Sequence, residues 1–258
     1  MSLASGFRRY LGVLSALLRH EEESRRHAPM ESLINLLEPI FLIAIMSFLF
    51  SFLGRRQISP LGGDPVLYYA TGFFPIYFFI YLSRRMRGSI DAPNRRFPIE
   101  QRLDHIVVHI ILRVIDYAFL GILLFGGLYL LITPQAAPSD LVKAVGACVA
   151  TVALGFGWGT LNLVFGRQSR IMGFLFPTIS RVLVIFSGVF FVPDFLLPDA
   201  RYALSFNPMM HAVQLFRLGF YPQYPAITFD GQYLAYCCIF AVVTGLVVER
   251  VTRRSEAR

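Results

Sequence analysis

Four polar side chains follow one face of an apolar segment near the middle of the chain. His105, His109, Arg113 and Asp116 are separated by steps of four, four and three residues, a spacing that keeps side chains on one helix face. Arg113 and Asp116 can pair, which lowers the cost of burying either charge. The face predicts either a substrate pathway or a structural ion pair with Arg113 reaching toward the cytoplasmic end. Two histidines without a nearby third ligand make a weak metal site, so we expect no metal here.

Arg181 is a second cation inside an apolar segment. It lies about eight residues into that segment, or roughly 12 Å along a helix. No acidic residue of the same helix can pair with it, and Pro177, one turn earlier, can kink the helix there. A cation at this depth faces protein or water rather than lipid. We therefore predict that Arg181 lines the path of an anionic substrate, with pairing to another helix as the alternative.

The segment YYATGFFPIYFFIYL carries an aromatic stripe. Tyr69, Phe73, Tyr77 and Tyr81 recur every four residues and share one helix face. Aromatic faces are common platforms for sugar rings, because the C–H face of a sugar is apolar. Aromatic side chains also fill contacts between helices and form belts at membrane interfaces. The stripe thus indicates either a substrate pathway or helix packing.

Catalytic and nucleotide-binding motifs are missing from the sequence. A phosphate-binding loop needs a lysine after glycine, but the only lysine, Lys143, lies in DLVKAVG. The GFGWG of Gly155–Gly159 lies within an apolar segment, where glycines permit close helix contact. The cysteines Cys148, Cys237 and Cys238 all lie in apolar runs, which argues against a disulfide framework. We expect no enzymatic activity and no cofactor in this chain.

The elements that position these residues are membrane helices. Of the 258 residues, 55% are hydrophobic and only 16% are charged, whereas a soluble domain carries roughly 25% charged residues. A span needs roughly 20 apolar residues. The sequence predicts one all-α polytopic membrane domain, residues 1–258, with six transmembrane helices at 33–53, 65–82, 106–132, 141–165, 173–192 and 232–249.

Arginine placement predicts the topology. With a cytoplasmic amino terminus, 17 of the 24 basic residues fall in inner segments and 5 in outer ones, so the positive-inside rule places both termini in the cytoplasm. The net charge of +8 then needs no nucleic acid. Residues 1–30 form a cytoplasmic segment, and the apolar positions within 3–19 predict an amphipathic helix at the membrane interface.

Residues 193–230, between spans five and six, form the outer segment. Its prolines interrupt any long helix, yet it is apolar for a soluble loop. Irregular backbone at membrane depth is tolerated where protein buries it or water lines it. We predict two short helices, near 195–204 and 208–219, that enter the outer leaflet and return.

Three stretches resemble a known family. They are LLEPIF at Leu36–Phe41, the basic loop Arg84–Ile106, and the ordered SG-x-FF, LP, NP, His and Arg of Ser187–Tyr224. Together with six spans and an amino-terminal amphipathic helix, they are similar to type-2 ABC exporter permeases of the capsular polysaccharide export group, the KpsM-like inner-membrane subunits. The resemblance covers nearly the whole chain.

This resemblance implies a homodimer bound to two ATP-binding subunits, which hold ATP and Mg and hydrolyse the nucleotide. The implied cargo is a lipid-linked acidic polysaccharide, exported across the bacterial inner membrane. A periplasmic co-polymerase or adaptor and an outer-membrane export protein are further implied partners. Alternatives with the same fold export O antigen, teichoic acid, lipid or a drug. An alternative of a different class is a stand-alone membrane enzyme or assembly scaffold.

The resemblance also implies roles for two groups of residues. The loop 84–105 is expected to contact the ATPase, through Arg95, Arg96, Glu100 and Arg102. Attraction of these arginines to anionic lipid, worth about 1 kcal/mol each, is the alternative, and both roles can hold at once. The outer segment is expected to gate the pathway, through Pro193, Pro198, Asn207, Pro208, His211 and Arg217.

Overall fold

A computed structural model of the protein describes residues 12, 15–17, 19, 29–52, 64–85 and 102–256. No strand occurs among these residues, and the described positions between 12 and 19 are helical. Eight further α-helices follow within the described ranges: α1 (Pro29–Phe52), α2 (Pro65–Arg85), α3 (Arg102–Leu131), α4 (Leu141–Gln168), α5 (Arg170–Phe186), α6 (Pro198–Leu204), α7 (Pro208–Leu218) and α8 (Gly231–Glu256). Short 3₁₀ helices occupy Pro134–Ala136 and Pro193–Phe195.

Six of these helices lie where the six spans were predicted, and the all-helical membrane class is confirmed. Of the described helices, four are apolar and long enough to cross a bilayer, namely α2, α3, α4 and α8. The described part of α1 has a shorter apolar stretch, Leu37–Leu49, and α5 has 17 residues. Crossing by α1 and α5 therefore stays a prediction.

Helices α2 and α3 run in opposite directions. Phe78 of α2 stacks on Tyr117 of α3, with ring centroids 4.5 Å apart, and Phe74 reaches Phe125 two turns further along α3 at 5.4 Å. Helices α4 and α5 are also antiparallel, since Trp158 contacts Ser180 while Gly166 approaches Gly173. Such alternation is what successive membrane crossings produce.

Helices α4 and α8 run in the same direction. The Cys238 Sγ lies 3.6 Å from the Ala150 carbonyl oxygen, and Gly245 adjoins Thr160 further along both helices. The carboxyl ends of α2 and α4 also meet, where the Asn162 side chain donates to the Ser83 carbonyl at 3.4 Å. The outer segment and the 131–141 connection thus share one end of the bundle, which we call the outer end after the predicted topology.

Helix α2 forms the centre of the described bundle and is almost entirely buried. It packs against α1, α3, α4, α5 and α7. Close approach depends on glycine: a Cβ on Gly155 would lie 3.1 Å from the Leu82 side chain, and a Cβ on Gly157 would lie 2.4 Å from the Ala241 carbonyl oxygen. The GFGWG stretch is therefore a helix-packing motif, as the sequence indicates.

Span five ends earlier than predicted. Helix α5 stops at Phe186 rather than near 192, because Gly188 adopts a positive φ of 72° that turns the chain. Three prolines then occupy first-turn positions of the 3₁₀ helix, α6 and α7, where a missing N–H costs nothing. The two short helices predicted for the outer segment are confirmed, while their entry into the outer leaflet remains a prediction.

Candidate functional site

Arg217 of α7 is fully buried at the outer end, with 0% of its surface exposed. One guanidinium nitrogen donates to the Gly188 carbonyl at 2.7 Å and the other to the Val189 carbonyl at 2.9 Å. The guanidinium carbon lies 3.9 Å from the centroid of the Tyr68 ring. We call Gly188, Val189, Tyr68 and Tyr224 the Arg217 cage.

The charge of Arg217 is stabilised by dipoles rather than by a carboxylate. No ion pair involves Arg217 within the part of the chain that the structure describes. The carbonyls that it contacts lie just beyond the carboxyl end of α5, where the helix dipole is negative, and the Tyr68 face adds a cation–π contact. Burial raises the pKa of Tyr224, so its hydroxyl, 3.4 Å from Arg217, stays neutral. The buried guanidinium of Arg217 thus joins the outer segment to α2 and to the turn that follows α5.

Asn207 makes a second connection between the outer segment and α5. Its side-chain oxygen caps α7 by accepting the Met209 N–H at 3.0 Å. Its side-chain nitrogen donates to the Phe186 carbonyl at 3.1 Å and to the Ser187 hydroxyl at 3.2 Å. One residue therefore starts α7 and holds the last turn of α5.

His211 fastens α7 to the beginning of α8. Its Nε2 lies 2.8 Å from the Ser205 carbonyl oxygen, which can only accept, so Nε2 carries the proton. Its Nδ1 accepts the Asp230 N–H at 3.1 Å. Both ring nitrogens are therefore used by the neutral imidazole, and burial lowers the pKa of His211.

Mild acid is expected to loosen the outer segment. A folded-state pKa below the ordinary value of about 6.5 means that His211 stabilises the fold above that pH and loses this contribution as pH falls, since protonation removes the acceptor for Asp230. The Tm of the purified protein should drop between about pH 7.5 and about pH 5.5, by about 2–4 °C per kcal/mol lost. His211→Gln should lower the Tm at neutral pH and flatten this dependence; an unchanged slope would contradict the assignment.

The remaining outer-segment residues hold its backbone. Pro193 is buried, whereas Pro198 is exposed and Pro208 is half-buried. Asp194 accepts the Thr228 N–H at 2.8 Å and also the Thr228 hydroxyl. The six predicted gate residues therefore lie together in one outer segment that hydrogen bonds hold in place. Their gating role stays a prediction.

Arg113 is buried inside the helical bundle, with 1% of its surface exposed. It donates to the Tyr81 hydroxyl and to Asp116 at 3.2 Å, and its guanidinium lies 4.5 Å from the Tyr81 ring centroid. The predicted Arg113–Asp116 ion pair is confirmed. Its burial favours the structural alternative over a place on the pathway.

The two histidines of the same helix lie nearer its amino end. His109 is buried and His105 is half-buried. No group of three or more metal-type ligands occurs among the described residues.

The aromatic stripe of α2 is continuous. Tyr69 and Phe73 have ring centroids 6.4 Å apart, and Phe73 and Tyr77 5.8 Å. Three of its four members are buried, with Phe73 edge-on to Phe190 at 5.6 Å, while Tyr77 is half-buried. Within the described chain, the stripe packs helices against one another, which favours the packing alternative.

Arg181 is exposed on α5. It makes no hydrogen bond or ion pair with any part of the chain that the structure describes. Exposed apolar side chains, Phe174 and Ile185, lie on the same face of α5 as Arg181. The residue thus presents a cation on a face that the described chain leaves open.

The residues expected to contact an ATPase are not placed by the structure. Arg95, Arg96 and Glu100 lie outside the described residues. Arg102 begins α3 at the inner end, beside the carboxyl ends of α2 and α4, but its side chain is not described.

Sequence reasoning missed the partners of Arg217. Tyr68 lies far from Arg217 in sequence, and Tyr224 lies across the turn that follows α7. Gly72 makes room for Arg217, because a Cβ there would lie 2.8 Å from the guanidinium. The glycine in the aromatic run YYATGFF was the one available signal, because a small residue there allows another group to approach.

The fold is a bundle of apolar helices, and a hydrogen-bonded segment interrupted by prolines covers one end of it. This arrangement defines a polytopic membrane protein. The chain belongs to the ABC-2 type transporter family, which matches residues 13–221.

Three relatives are named as polysaccharide transport or export proteins. The chain is 27% identical over 234 residues to the polysialic acid transport protein KpsM of Escherichia coli, covering 86% of this chain and 85% of that protein. It is 25% identical over 189 residues to the capsule polysaccharide export inner-membrane protein BexB of Haemophilus influenzae, covering 71% and 69%. It is 24% identical over 214 residues to the capsule polysaccharide export inner-membrane protein CtrC of Neisseria meningitidis serogroup A, covering 82% and 79%.

Proposed function

We propose that the protein is the permease subunit of an ATP-driven exporter that moves a lipid-linked acidic polysaccharide outward across the bacterial inner membrane. The observation that carries this proposal is the similarity, along most of the chain, to three capsule export proteins within the ABC-2 type transporter family. The missing phosphate-binding loop agrees with it, because a permease takes its energy from a separate ATPase.

Two copies of the chain form the transport unit in this proposal, each bound to one ATP-binding subunit. Arg181 supports a pathway between the copies, since it is exposed on an apolar surface of α5 and an anionic polymer gives it a partner. The basic inner loop, with Arg95, Arg96, Glu100 and Arg102, would receive the motion of the ATPase. ATP and Mg bind in that partner rather than in this chain.

The outer segment closes the pathway at the outer end. Arg217 and Asn207 both grip the end of α5, the helix that carries Arg181. A movement of α5 during transport is therefore transmitted to α7, so opening at the outer end follows motion in the bundle. The same surface is available to a periplasmic co-polymerase or adaptor, which hands the polymer to an outer-membrane export protein.

Gene deletion in the source bacterium tests the function. Loss of the protein should remove the polysaccharide from the cell surface and trap it inside the cell, and a plasmid copy should restore export. Surface polysaccharide at the normal level after deletion would refute the proposal. Loss of O antigen or teichoic acid instead would redirect it to another cargo.

The purified protein alone is expected to hydrolyse no ATP. Co-expression with its cognate ATPase should give a complex that survives size-exclusion chromatography and has ATPase activity. A variant in which Arg95 and Arg96 are both replaced by alanine should weaken this complex, whereas Lys143→Ala, at the opposite end of the bundle, should not. Hydrolysis by the permease alone would contradict the partnership.

Thiol labelling is expected to place the outer segment outside the inner membrane. Asp199 and Gln223 are exposed at the outer end, and Gln168 is exposed at the opposite end. Single cysteines at Asp199 or Gln223 should react with a membrane-impermeant maleimide in cells with a permeabilised outer membrane. A cysteine at Gln168 should react only after lysis, with the unmodified protein as background control. The reverse pattern would overturn the topology and the direction of transport.

A further inference from the structure

An open groove of about 1070 Å³ lies at the outer end between α6 and the beginning of α8. Its chemistry comes from Arg201, Tyr202, Phe206, His211, Asp230 and Tyr233. We call this the rim groove. It is distinct from the Arg217 cage, which is closed and contains no exposed surface of the arginine.

Hydrogen bonds hold the two walls of the rim groove together. The Tyr233 hydroxyl donates to the Phe206 carbonyl at 2.8 Å, and His211 bridges Ser205 to the Asp230 N–H. Asp230 in turn accepts the Tyr233 N–H at 2.9 Å. Because the side chains of Tyr233 and His211 tie backbone groups of one wall to the other wall, the groove exists before any ligand arrives, which reduces the entropy cost of binding.

The lining of the rim groove combines ring faces with one cation, Arg201, and one carboxylate, Asp230, whose Oδ1 accepts the N–H groups of Gln232 and Tyr233. Tyr202 and Phe206 are 69% and 59% exposed, with ring centroids 5.1 Å apart and planes at 85°. Their apolar faces can accept the C–H faces of sugar rings. Arg201 is partly exposed and has no ion pair within the described chain, so its guanidinium can bind a carboxylate through two hydrogen bonds.

We infer that the rim groove is a saccharide-binding subsite that receives carboxylated sugar units as they leave the pathway. The inference rests on the proposed function and adds to it a named exit site. An aromatic belt at the membrane interface would explain exposed rings alone, but not their place on a concave surface beside hydrogen-bonding groups. A negatively charged oxygen group is the chemistry shared with anionic lipid headgroups. We assign the groove to the sugar because the apolar faces of Tyr202 and Phe206 can pack against sugar rings, which a phosphate group does not offer.

Direct binding tests the inference. The purified protein in neutral detergent is titrated into a fluorescein-labelled hexasaccharide of galacturonic acid, and fluorescence anisotropy gives the Kd. Arg201→Ala and Tyr202→Ala should each raise the Kd by about fivefold or more. Tyr236→Ala, which removes an equally exposed tyrosine from the side of α8, should leave it unchanged. A neutral glucose hexasaccharide should bind the unmodified protein more weakly than the acidic one does. Its Kd should be unchanged by Arg201→Ala.

Three results would overturn the inference. The first is no binding of the acidic hexasaccharide, and the second is equal binding by all variants. The third is displacement of the sugar from the unmodified protein by glycerol phosphate at the same concentration, which would indicate a site for lipid headgroups. Because the substituted side chains are exposed, their Tm values should match that of the unmodified protein. Export by the same variants separates the two proposals. If the unmodified gene fails to restore export, the proposed function is refuted. If export is normal but all variants bind the sugar equally well, only the assignment of the rim groove as a saccharide site is refuted.

Discussion

Replacing Arg217 with alanine is expected to release the outer segment and abolish export. The substitution leaves two buried carbonyls without donors and empties the space over Tyr68. Each unsatisfied buried group costs about 1–3 kcal/mol, so the loss should reach about 3 kcal/mol or more. The measurement is the Tm of the purified protein, together with protease cleavage of the outer segment in membranes.

Two further variants make the Arg217 prediction specific. Arg217→Lys keeps the positive charge but replaces the flat guanidinium, whose two nitrogens donate to the two carbonyls, with a single ammonium. It should therefore recover little of the lost stability. Arg201→Ala removes the other arginine of the outer segment, which is partly exposed, and should leave the Tm unchanged. Gly72→Ala should disturb the same cage from the α2 side, because its Cβ would lie 2.8 Å from the guanidinium and 3.1 Å from Val189. Normal stability of Arg217→Ala would show that the cage does not hold the segment.

Replacing Arg181 with alanine is expected to reduce export by about tenfold or more, equivalent to about 1.4 kcal/mol, without loss of folded protein. The side chain has no hydrogen-bond or ion-pair partner within the described chain and lies exposed on α5, so its removal breaks no such contact there. The readouts are surface polysaccharide, the amount of protein in the membrane and recovery of the ATPase complex.

Matched variants separate the pathway role from a structural one. Arg181→Lys should keep most of the export, since the positive charge is retained. Ile185→Ala, one turn along the same exposed face of α5, should have no effect on export. If Arg181→Ala lowers the Tm or dissociates the complex as much as it lowers export, then Arg181 pairs with another subunit and does not line the path.

Local sequence signals were sufficient for the helices. The apolar segments and their lengths are encoded in consecutive residues, so the positions of six long helices followed from hydropathy. The two short helices followed from Pro198 and Pro208, because proline favours the first turn and cannot continue a helix. The end of α5 was missed by about six residues, since the positive φ of Gly188 depends on the turn rather than on the residue type alone.

Partners from distant parts of the chain were beyond the sequence. The local pair Arg113–Asp116 was predictable from helical spacing, whereas the contact of Arg113 with Tyr81 depends on how α2 and α3 pack. Likewise, Arg217 was expected at an outer gate, but its burial against Tyr68 requires the outer segment to fold back onto α2. The aromatic stripe illustrates the same limit: its helical face was correctly grouped, but burial decides what the face contacts.

ATP-dependent movement of polymer in inside-out membrane vesicles tests the proposed export most directly. Vesicles containing the permease and its ATPase are loaded on their outer surface with radiolabelled lipid-linked polysaccharide and then treated with a glycosidase that cannot cross the membrane. ATP should protect the polymer by carrying it into the vesicle lumen, and Arg181→Ala should slow this protection. Polymer that stays fully sensitive to the glycosidase while the complex hydrolyses ATP would contradict the proposal that this protein exports polysaccharide.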